Sequence, residues 1–366
     1  MKIKNIISTV VFAAYFFSVC GVCCLKSDAE YSNSERRALA QMPEISGQAI
    51  ANGEFMKNFE GYTTDQFPLR DGFRSVKSMF SRYILKKLEN NGLFVANGHL
   101  SKLDEEQNEY MMNHAADVFK SIYNRYLKEK TENIYFSIVP DKNYFLAEPN
   151  GYPSLDYGSF TEQMKEKNSY MEYIDIAPLL SADDYYTTDT HWRQENITDI
   201  AQKLALAMGT DAKSEYKVNT LSNPFYGVYH SQAALVFKPD TIKYLTNETI
   251  ENAIVTYYDT GSPKRGDMYN MKKATSKDPY EMFLSGVAPL ITIENPNAKT
   301  QKELVMFRDS FGSSLAPLLA EGYKKITLVD IRYIQSSFIG GFVDFENADV
   351  LFIYSTALLS NSLAMK

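Results

Sequence analysis

The longest uninterrupted apolar run lies at the start of the chain, where residues 6 to 25 (IISTVVFAAYFFSVCGVCCL) carry no charge and follow Lys2 and Lys4. As a helix it is long enough to cross a bilayer. It ends in Cys-Cys-Leu-Lys without the small-residue pattern of a cleavage site, which favours an uncleaved anchor; a cleaved signal peptide is the alternative. Val19 before Cys20 and Val22 before Cys23 stand where a lipoprotein signal needs a small residue. The short basic flank predicts an N-terminus inside and the remainder of the chain outside the membrane.

Beyond the anchor, KSDAEYSNSERRALAQMPEIS has no sustained apolar period and reads as a linker. Phe73, Val76, Met79, Phe80, Ile84 and Leu85 recur at helical spacing within 71 to 89. A longer helix is predicted over 104 to 130, with Met111, Ala115, Val118, Phe119, Ile122 and Tyr126 on one face. NIYFSIVPDKN, rich in β-branched and aromatic residues and closed by Pro140, reads as a buried strand. A second apolar run, MEYIDIAPLL, precedes TTDTHW, and a helix follows with Ile197, Ala201, Leu204 and Met208 on one face and Gly209 as its stop.

Residues 214 to 300 are richer in Tyr, Thr, Asn and Pro, with KYLT, AIVTYYDTG and LITIEN as short strands; they read as a β-rich insertion. ELVMFRDS, KKITLVDIR and ADVLFIYS are then three strong strands, with SSLAPLLAEGY as a helix between the first two. The predicted organisation is an anchor or signal at 1–26, a linker and helical extension at 27–90, and an α/β domain at 91–366. Its sheet is mainly parallel, with strands at 133–139, 303–309, 325–331 and 348–355 and with helices on both faces. Right-handed crossovers through the helices at 104–130 and 311–322 would bring Pro140, Ser310 and Arg332 to one sheet edge.

The composition suits a globular protein: 366 residues, 45% hydrophobic, 23% charged and a net charge of −7, which gives nucleic acid no long-range attraction. Cys20, Cys23 and Cys24, the only cysteines, all sit in the first apolar run, so the rest of the chain has no thiol for a disulfide, zinc cluster or nucleophile. Of four histidines, His99, His114 and His230 have no acidic or histidine partner at ligand spacing, which argues against a metal site. The 26 tyrosines suit half-exposed strands as readily as sugar stacking.

Two segments place reactive side chains where open α/β sheets put their sites: Asp189-Thr190-His191-Trp192 and Arg308-Asp309-Ser310-Phe311-Gly312. A serine at a strand-to-helix turn is exposed at the sheet edge beside a helix N-terminus, and it needs a base and a group to orient that base. Asp189 and His191, two residues apart, suit those two roles. The residues also permit a self-satisfied Asp–His pair with Ser310 serving only as a helix cap.

TTDTHW, followed more than a hundred residues later by FRDSFGSSLAPLL and LVDIRY, resembles the DHHW family of exported bacterial proteins, which are similar to the SGNH-hydrolase-like proteins that O-acetylate alginate. SNSERRALAQMP, YTTDQFPLRDGFRS, NGLFV, VPDKNYF and ADVLFIYS extend the likeness over nearly the whole exported part. The resemblance implies a three-layer, flavodoxin-like SGNH fold and serine-dependent acyl transfer to an extracytoplasmic polysaccharide, with Ser310 as nucleophile, His191 as base and Asp189 orienting it. It implies no cofactor; the acyl donor comes from a small molecule or from a partner such as a membrane-bound O-acyltransferase. The chain departs from the pattern at Thr190, where the family has a second His, and at Arg308, where the hydrolase turn carries Gly. Arg308 has two readings, an oxyanion stabiliser or a partner of Asp309. Arg332, Tyr333, Lys142 and Trp192 are further candidates for meeting substrate or oxyanion. An esterase or deacetylase on the same class of glycan, a non-catalytic glycan- or partner-binding surface protein of the same fold, and a metal hydrolase through Asp189 and His191 are the competing functions.

Overall fold

The computed structural model describes residues 2–366 except Asn33, Arg36, Glu105, Thr260 and Gly261, together with the side chains of all but Lys2 and Cys24. The linker motif at Asn33 and Arg36, the start of the predicted helix at Glu105, the end of AIVTYYDTG and the Cys24 thiol lie outside the described residues. The chain forms two units: Met1–Asn91 with His230–Phe237, and Gly92–Tyr229 with Lys238–Lys366.

In the first unit the helix Lys2–Leu25 contains a stretch, Ile3–Cys23, with the length and composition to cross a membrane. The shorter helices Glu54–Asp65 and Arg70–Met79 follow, the latter running on as a π-helical turn at Phe80–Ile84. Asp65 ties this region to the linker by accepting from both guanidinium nitrogens of Arg37 (2.8 and 2.6 Å) and from the Ala40 amide (2.9 Å).

The second unit is built on one eight-stranded sheet. Its strands in chain order are β1 (Ile134–Val139), β2 (Glu172–Tyr173), β3 (Ile254–Tyr257), β4 (Lys264–Gly266), β5 (Leu290–Glu294), β6 (Glu303–Arg308), β7 (Lys325–Val329) and β8 (Asp349–Ser355). They lie in the order β4-β3-β5-β7-β6-β8-β1-β2. The five strands from β7 to β2 pair in parallel, whereas β3, β4 and β5 form an antiparallel flank. The segment read as a β-rich insertion therefore divides. Its later strands extend the central sheet, while Lys217–Phe225 and Asp240–Thr246 form a separate hairpin.

Strand alternation sends Leu304, Met306, Leu328 and Ile353 to one face and Val305, Phe307, Val329 and Phe352 to the other. On the first face lie the helices Thr198–Ala207 and Phe311–Leu319; on the second lie Glu109–Ile122 and Tyr157–Lys167. The helix expected over 104–130 begins later, at Glu109, because the Asn108 side chain caps it by accepting from the Met111 amide (3.2 Å), and it ends in a π-helical turn at Tyr123–Leu127. The register pairs Phe307 with both Val329 and Phe352 and Ser355 with Val139, so the residues after β1, β6, β7 and β8 emerge together at one sheet edge. Pro140, Ser310 and Arg332 are among them.

Phe119 joins helix to sheet: it is fully buried, with ring centroids 5.0 Å from Phe352, 5.3 Å from Tyr354 and 6.1 Å from Phe136. Phe119→Ala should cost about 3–5 kcal/mol of unfolding free energy, measured by urea denaturation.

Candidate active site

Ser310 stands directly beyond β6 at the N-cap position of the helix Phe311–Leu319, yet its side chain makes no capping hydrogen bond. The hydroxyl lies instead 2.8 Å from His191 Nε2, and His191 Nδ1 lies 2.6 Å from Asp189 Oδ1. Asp189 also accepts from the amides of His191 (3.1 Å) and Val228 (2.8 Å). Burial by itself favours the neutral acid, but the charge of His191 and these hydrogen bonds outweigh it and hold the Asp189 carboxyl well below the ordinary range. An ionised carboxylate only accepts, so Nδ1 carries a proton, and whenever the imidazole is neutral Nε2 presents its lone pair to the Ser310 hydroxyl. The cap role open to Ser310 on sequence alone is thus not the one its hydroxyl takes.

The imidazole is also held by its faces and its neighbour. The Tyr280 ring stacks on it at 3.9 Å and 11°. The Tyr280 hydroxyl lies 2.8 Å from Ser314 Oγ, which also accepts from Trp192 Nε1 (2.9 Å). Gln194 Nε2 donates to the Ser314 carbonyl (2.8 Å), and its Oε1 accepts from the Leu245 amide (2.8 Å). Side chains flanking His191 therefore grip the first turn of the serine's own helix.

Asp240 organises the loop from below. Its Oδ1 accepts from the Thr187 amide (2.9 Å), the Thr187 hydroxyl (2.8 Å) and Arg193 Nη2 (2.7 Å), and its Oδ2 from the Thr188 amide (2.8 Å) and hydroxyl (2.6 Å). Burial alone would raise its pKa; the Thr188 and Thr187 hydrogen bonds turn the shift downward. Gly227 lies against the same loop, where a Cβ would sit 2.3 Å from Asp189 Cβ and 2.4 Å from the Thr188 carbonyl oxygen.

The other candidates are placed as follows. Trp192 is fully buried. Lys142 is also buried, and its ammonium donates to the carbonyls of Tyr186 (2.8 Å) and Thr187 (3.3 Å), supporting the loop from within. Loss of hydration pushes its pKa down to about 7, against the pull of Asp189 and Asp240. Arg332 is clamped on Asp330 through Nε (2.8 Å) and Nη2 (2.7 Å), which raises its pKa although burial opposes this. Arg308, buried beneath the serine turn, leans 3.6 Å from the same Asp330 and donates to the Asp309 carbonyl (3.3 Å) and Ser313 Oγ (3.2 Å). Its Nε and Nη2 meet no acceptor among the described residues. The Asp309 carboxylate is engaged elsewhere, by the Phe311 amide (3.0 Å) and by the Ser355 amide (2.8 Å) and hydroxyl (2.7 Å). Tyr333 is exposed at the sheet edge. Among the described residues, no group of three His, Cys, Asp or Glu gathers as a metal-binding set.

Sequence reasoning missed Asp240, Tyr280, Gly227 and Gln194. Of these, Gln194 alone carried a signal, since it lies three residues after His191. Tyr280 is one of many tyrosines, and Asp240 lies in a region whose polar residues show no pattern.

An open α/β sheet with a serine at a strand end and an Asp–His pair facing it defines the structural class to which the chain can be compared. A DHHW family protein from Eubacterium siraeum is similar at 21% identity and a TM-score of 0.60, over 75% of this chain and 94% of that one. Bacillus cereus PatB1 with a sulfonyl adduct is similar at 20% identity and a TM-score of 0.59, over 73% and 95%. At these identities the likeness establishes the fold, and the first of the two belongs to the family that the sequence motifs resemble. No protein-family profile matches the chain, and no curated protein matches it by sequence.

Two measurements test this account of the loop. Gly227→Ala forces the Asp189 backbone to move, so it should lower both thermal stability and the modification of Ser310 by serine-directed reagents, whereas alanine at Gly61, exposed in a helix with open space at its Cβ, leaves that modification unchanged. Lys142 gives a pH signature. The folded chain releases its proton near 7 and the unfolded chain near 10.5, so the unfolded state binds more protons between those values and stability rises with pH there. The rise, about 1.4 kcal/mol per pH unit for one full proton, should be missing from urea titrations of Lys142→Met.

Proposed function

We propose that the protein is an SGNH-hydrolase-like O-acyltransferase that acts outside the cytoplasm, transferring an acetyl or similar acyl group through Ser310 to a cell-surface or secreted polysaccharide. The observation that carries this reading is the unbroken hydrogen-bonded chain Asp189–His191–Ser310, with the serine hydroxyl free of its helix-capping role. The motifs shared with the DHHW family and the fold shared with a solved member of it support it, and the apolar N-terminal helix fits an exported protein.

In this reading Ser310 Oγ attacks the acyl carbon of the donor while His191 Nε2 takes the hydroxyl proton. Asp189 stabilises the resulting imidazolium and keeps its orientation. The tetrahedral intermediate collapses, the bond from acyl carbon to leaving group breaks, and His191 returns the proton to the departing group. A sugar hydroxyl then gives its proton to His191 and attacks the acyl-serine, the bond from the acyl carbon to Ser310 Oγ breaks, and His191 returns the proton to Oγ. The Phe311 amide is already engaged by Asp309, so the oxyanion draws on the Ser310 amide and on further donors near the turn. No cofactor takes part, and the acyl donor is a small molecule or is delivered by a membrane-bound acyltransferase partner.

A sulfonyl fluoride is the natural first probe, because PatB1, which shares the fold, has been solved with a sulfonyl adduct. Mass spectrometry should find the adduct on Ser310, and Ser310→Ala or His191→Ala should abolish both labelling and release of nitrophenol from p-nitrophenyl acetate. Asp189→Asn should retain a residual rate, down by about 10⁴-fold as in serine proteases that lose this carboxylate. An oligosaccharide acceptor that accelerates turnover and becomes acetylated marks a transferase; an acceptor without effect marks an esterase. Undiminished turnover in Ser310→Ala would refute the mechanism.

A further inference from the structure

The helix Arg70–Met79 and its π-helical continuation to Ile84 are amphipathic in an inverted sense. Their inward face is polar: Ser78 is 1% exposed and Ser81 8%. Ser78 Oγ accepts from Asn90 Nδ2 (2.9 Å), Arg74 donates to the Ser231 carbonyl (3.1 Å), and Arg70 and Arg74 both pair with Glu35. Phe73, Val76, Phe80, Tyr83 and Ile84 recur at three- and four-residue spacing on the opposite side, where Val76 is 60%, Tyr83 66% and Ile84 65% exposed. Leu69 before the helix and Leu85 and Leu88 after it are exposed as well. A water-facing helix normally shows the reverse pattern.

Charge identifies what this face meets. In a chain of net charge −7, residues 69 to 88 hold six basic side chains (Arg70, Arg74, Lys77, Arg82, Lys86 and Lys87) against Asp71 alone. Lys77, Lys86 and Lys87 are exposed along or just beyond the apolar face. Large apolar side chains flanked by lysines are the signature of a helix lying in the interface of an anionic bilayer, with rings and aliphatic groups among the acyl chains and ammonium groups at the phosphates. The same unit begins with Ile3–Cys23, a stretch of the length and composition to cross a membrane, and its insertion would keep the face near a bilayer.

We propose that residues 69–88 form a second membrane-contact element, which lies flat on an anionic lipid surface. The test uses the full chain reconstituted into vesicles. Trp192, the single tryptophan, is buried and supplies a constant background, above which a Phe80→Trp variant reports the face and a Lys217→Trp variant reports an exposed strand of the other unit. In vesicles of phosphatidylcholine and phosphatidylglycerol, the Phe80→Trp emission should shift to the blue relative to detergent, and brominated lipid should quench most of it; the Lys217→Trp emission should do neither. Exchanging Lys77, Lys86 and Lys87 for Glu in the Phe80→Trp background should remove most of the quenching. Unquenched Phe80→Trp emission in these vesicles would overturn the proposal. Shielding that already exists in detergent would point to a second copy of the chain, and shielding confined to native membranes to a protein partner; either also overturns it. Equal quenching in purely neutral vesicles would refute the role given to the lysines.

Discussion

Asp240 takes no part in the proposed chemistry, yet the position of Asp189 and His191 depends on it. A carboxylate removed from water is tolerated only when its oxygens are saturated with donors, and Asp240 collects five: two backbone amides, two threonine hydroxyls and one arginine. All come from Thr187, Thr188 and Arg193, which bracket Asp189 and His191 in sequence. Moving the loop would strand that charge without partners, so the loop is held where the imidazole reaches Ser310. Lys142 reinforces it from the other side by donating to the carbonyls of Tyr186 and Thr187, so both polar ends of these peptide groups are engaged.

The same device recurs along the sheet edge. Each of β1, β6 and β7 is followed within two residues by a buried aspartate: Asp141, Asp309 and Asp330. Asp141 accepts from Tyr157, Asn143 and Thr356, the last of these just beyond β8; Asp309 accepts from Ser355 at the end of β8 and from Phe311; Asp330 receives Arg332 and draws Arg308 toward it. Parallel strands fix positions only as far as their ladders run. Beyond them these carboxylates join one strand end to the next, and the serine turn emerges from an edge that is already fixed. Gly312 belongs to this arrangement, because a Cβ there would lie 2.6 Å from the Cβ of Arg308.

What the sequence disclosed follows from how each feature is encoded. The strands β1, β6, β7 and β8 are continuous apolar runs because they are buried on both faces, and such runs are legible without knowledge of their neighbours. The TTDTHW and FRDSF segments, whose Asp189, His191 and Ser310 the fold brings within hydrogen-bond reach, stood out because such a combination of residue types and spacing is restricted. The antiparallel flank of β3, β4 and β5 was read as an insertion, since short strands rich in Thr and Tyr look alike whether they extend a sheet or form a hairpin apart from it. Asp240 and Tyr280 were invisible for a different reason: each acts through contacts with residues distant in sequence, and one aspartate or one tyrosine among many has no local pattern. Arg308 was visible as a departure from the hydrolase turn, but neither of its readings, an oxyanion stabiliser or a partner of Asp309, named Asp330, which β7 brings beside it.

The stacking of Tyr280 on His191 fixes the one freedom of the imidazole that its hydrogen bonds leave open. A histidine fixed only by Asp189 would keep one degree of freedom, rotation about the line of the Nδ1–carboxylate bond, and Nε2 would sweep past the serine hydroxyl. A ring stacked 3.9 Å away and nearly parallel removes that freedom without adding a charge or a competing hydrogen bond. Its hydroxyl is hydrogen-bonded to Ser314, whose hydroxyl oxygen accepts from Trp192, so the ring covering the imidazole and the residue following His191 are tied to one oxygen on the first turn of the serine's helix. Imidazole and serine hydroxyl are thereby fixed to a common support. Their 2.8 Å approach is a property of that support and does not rest on the single hydrogen bond between them.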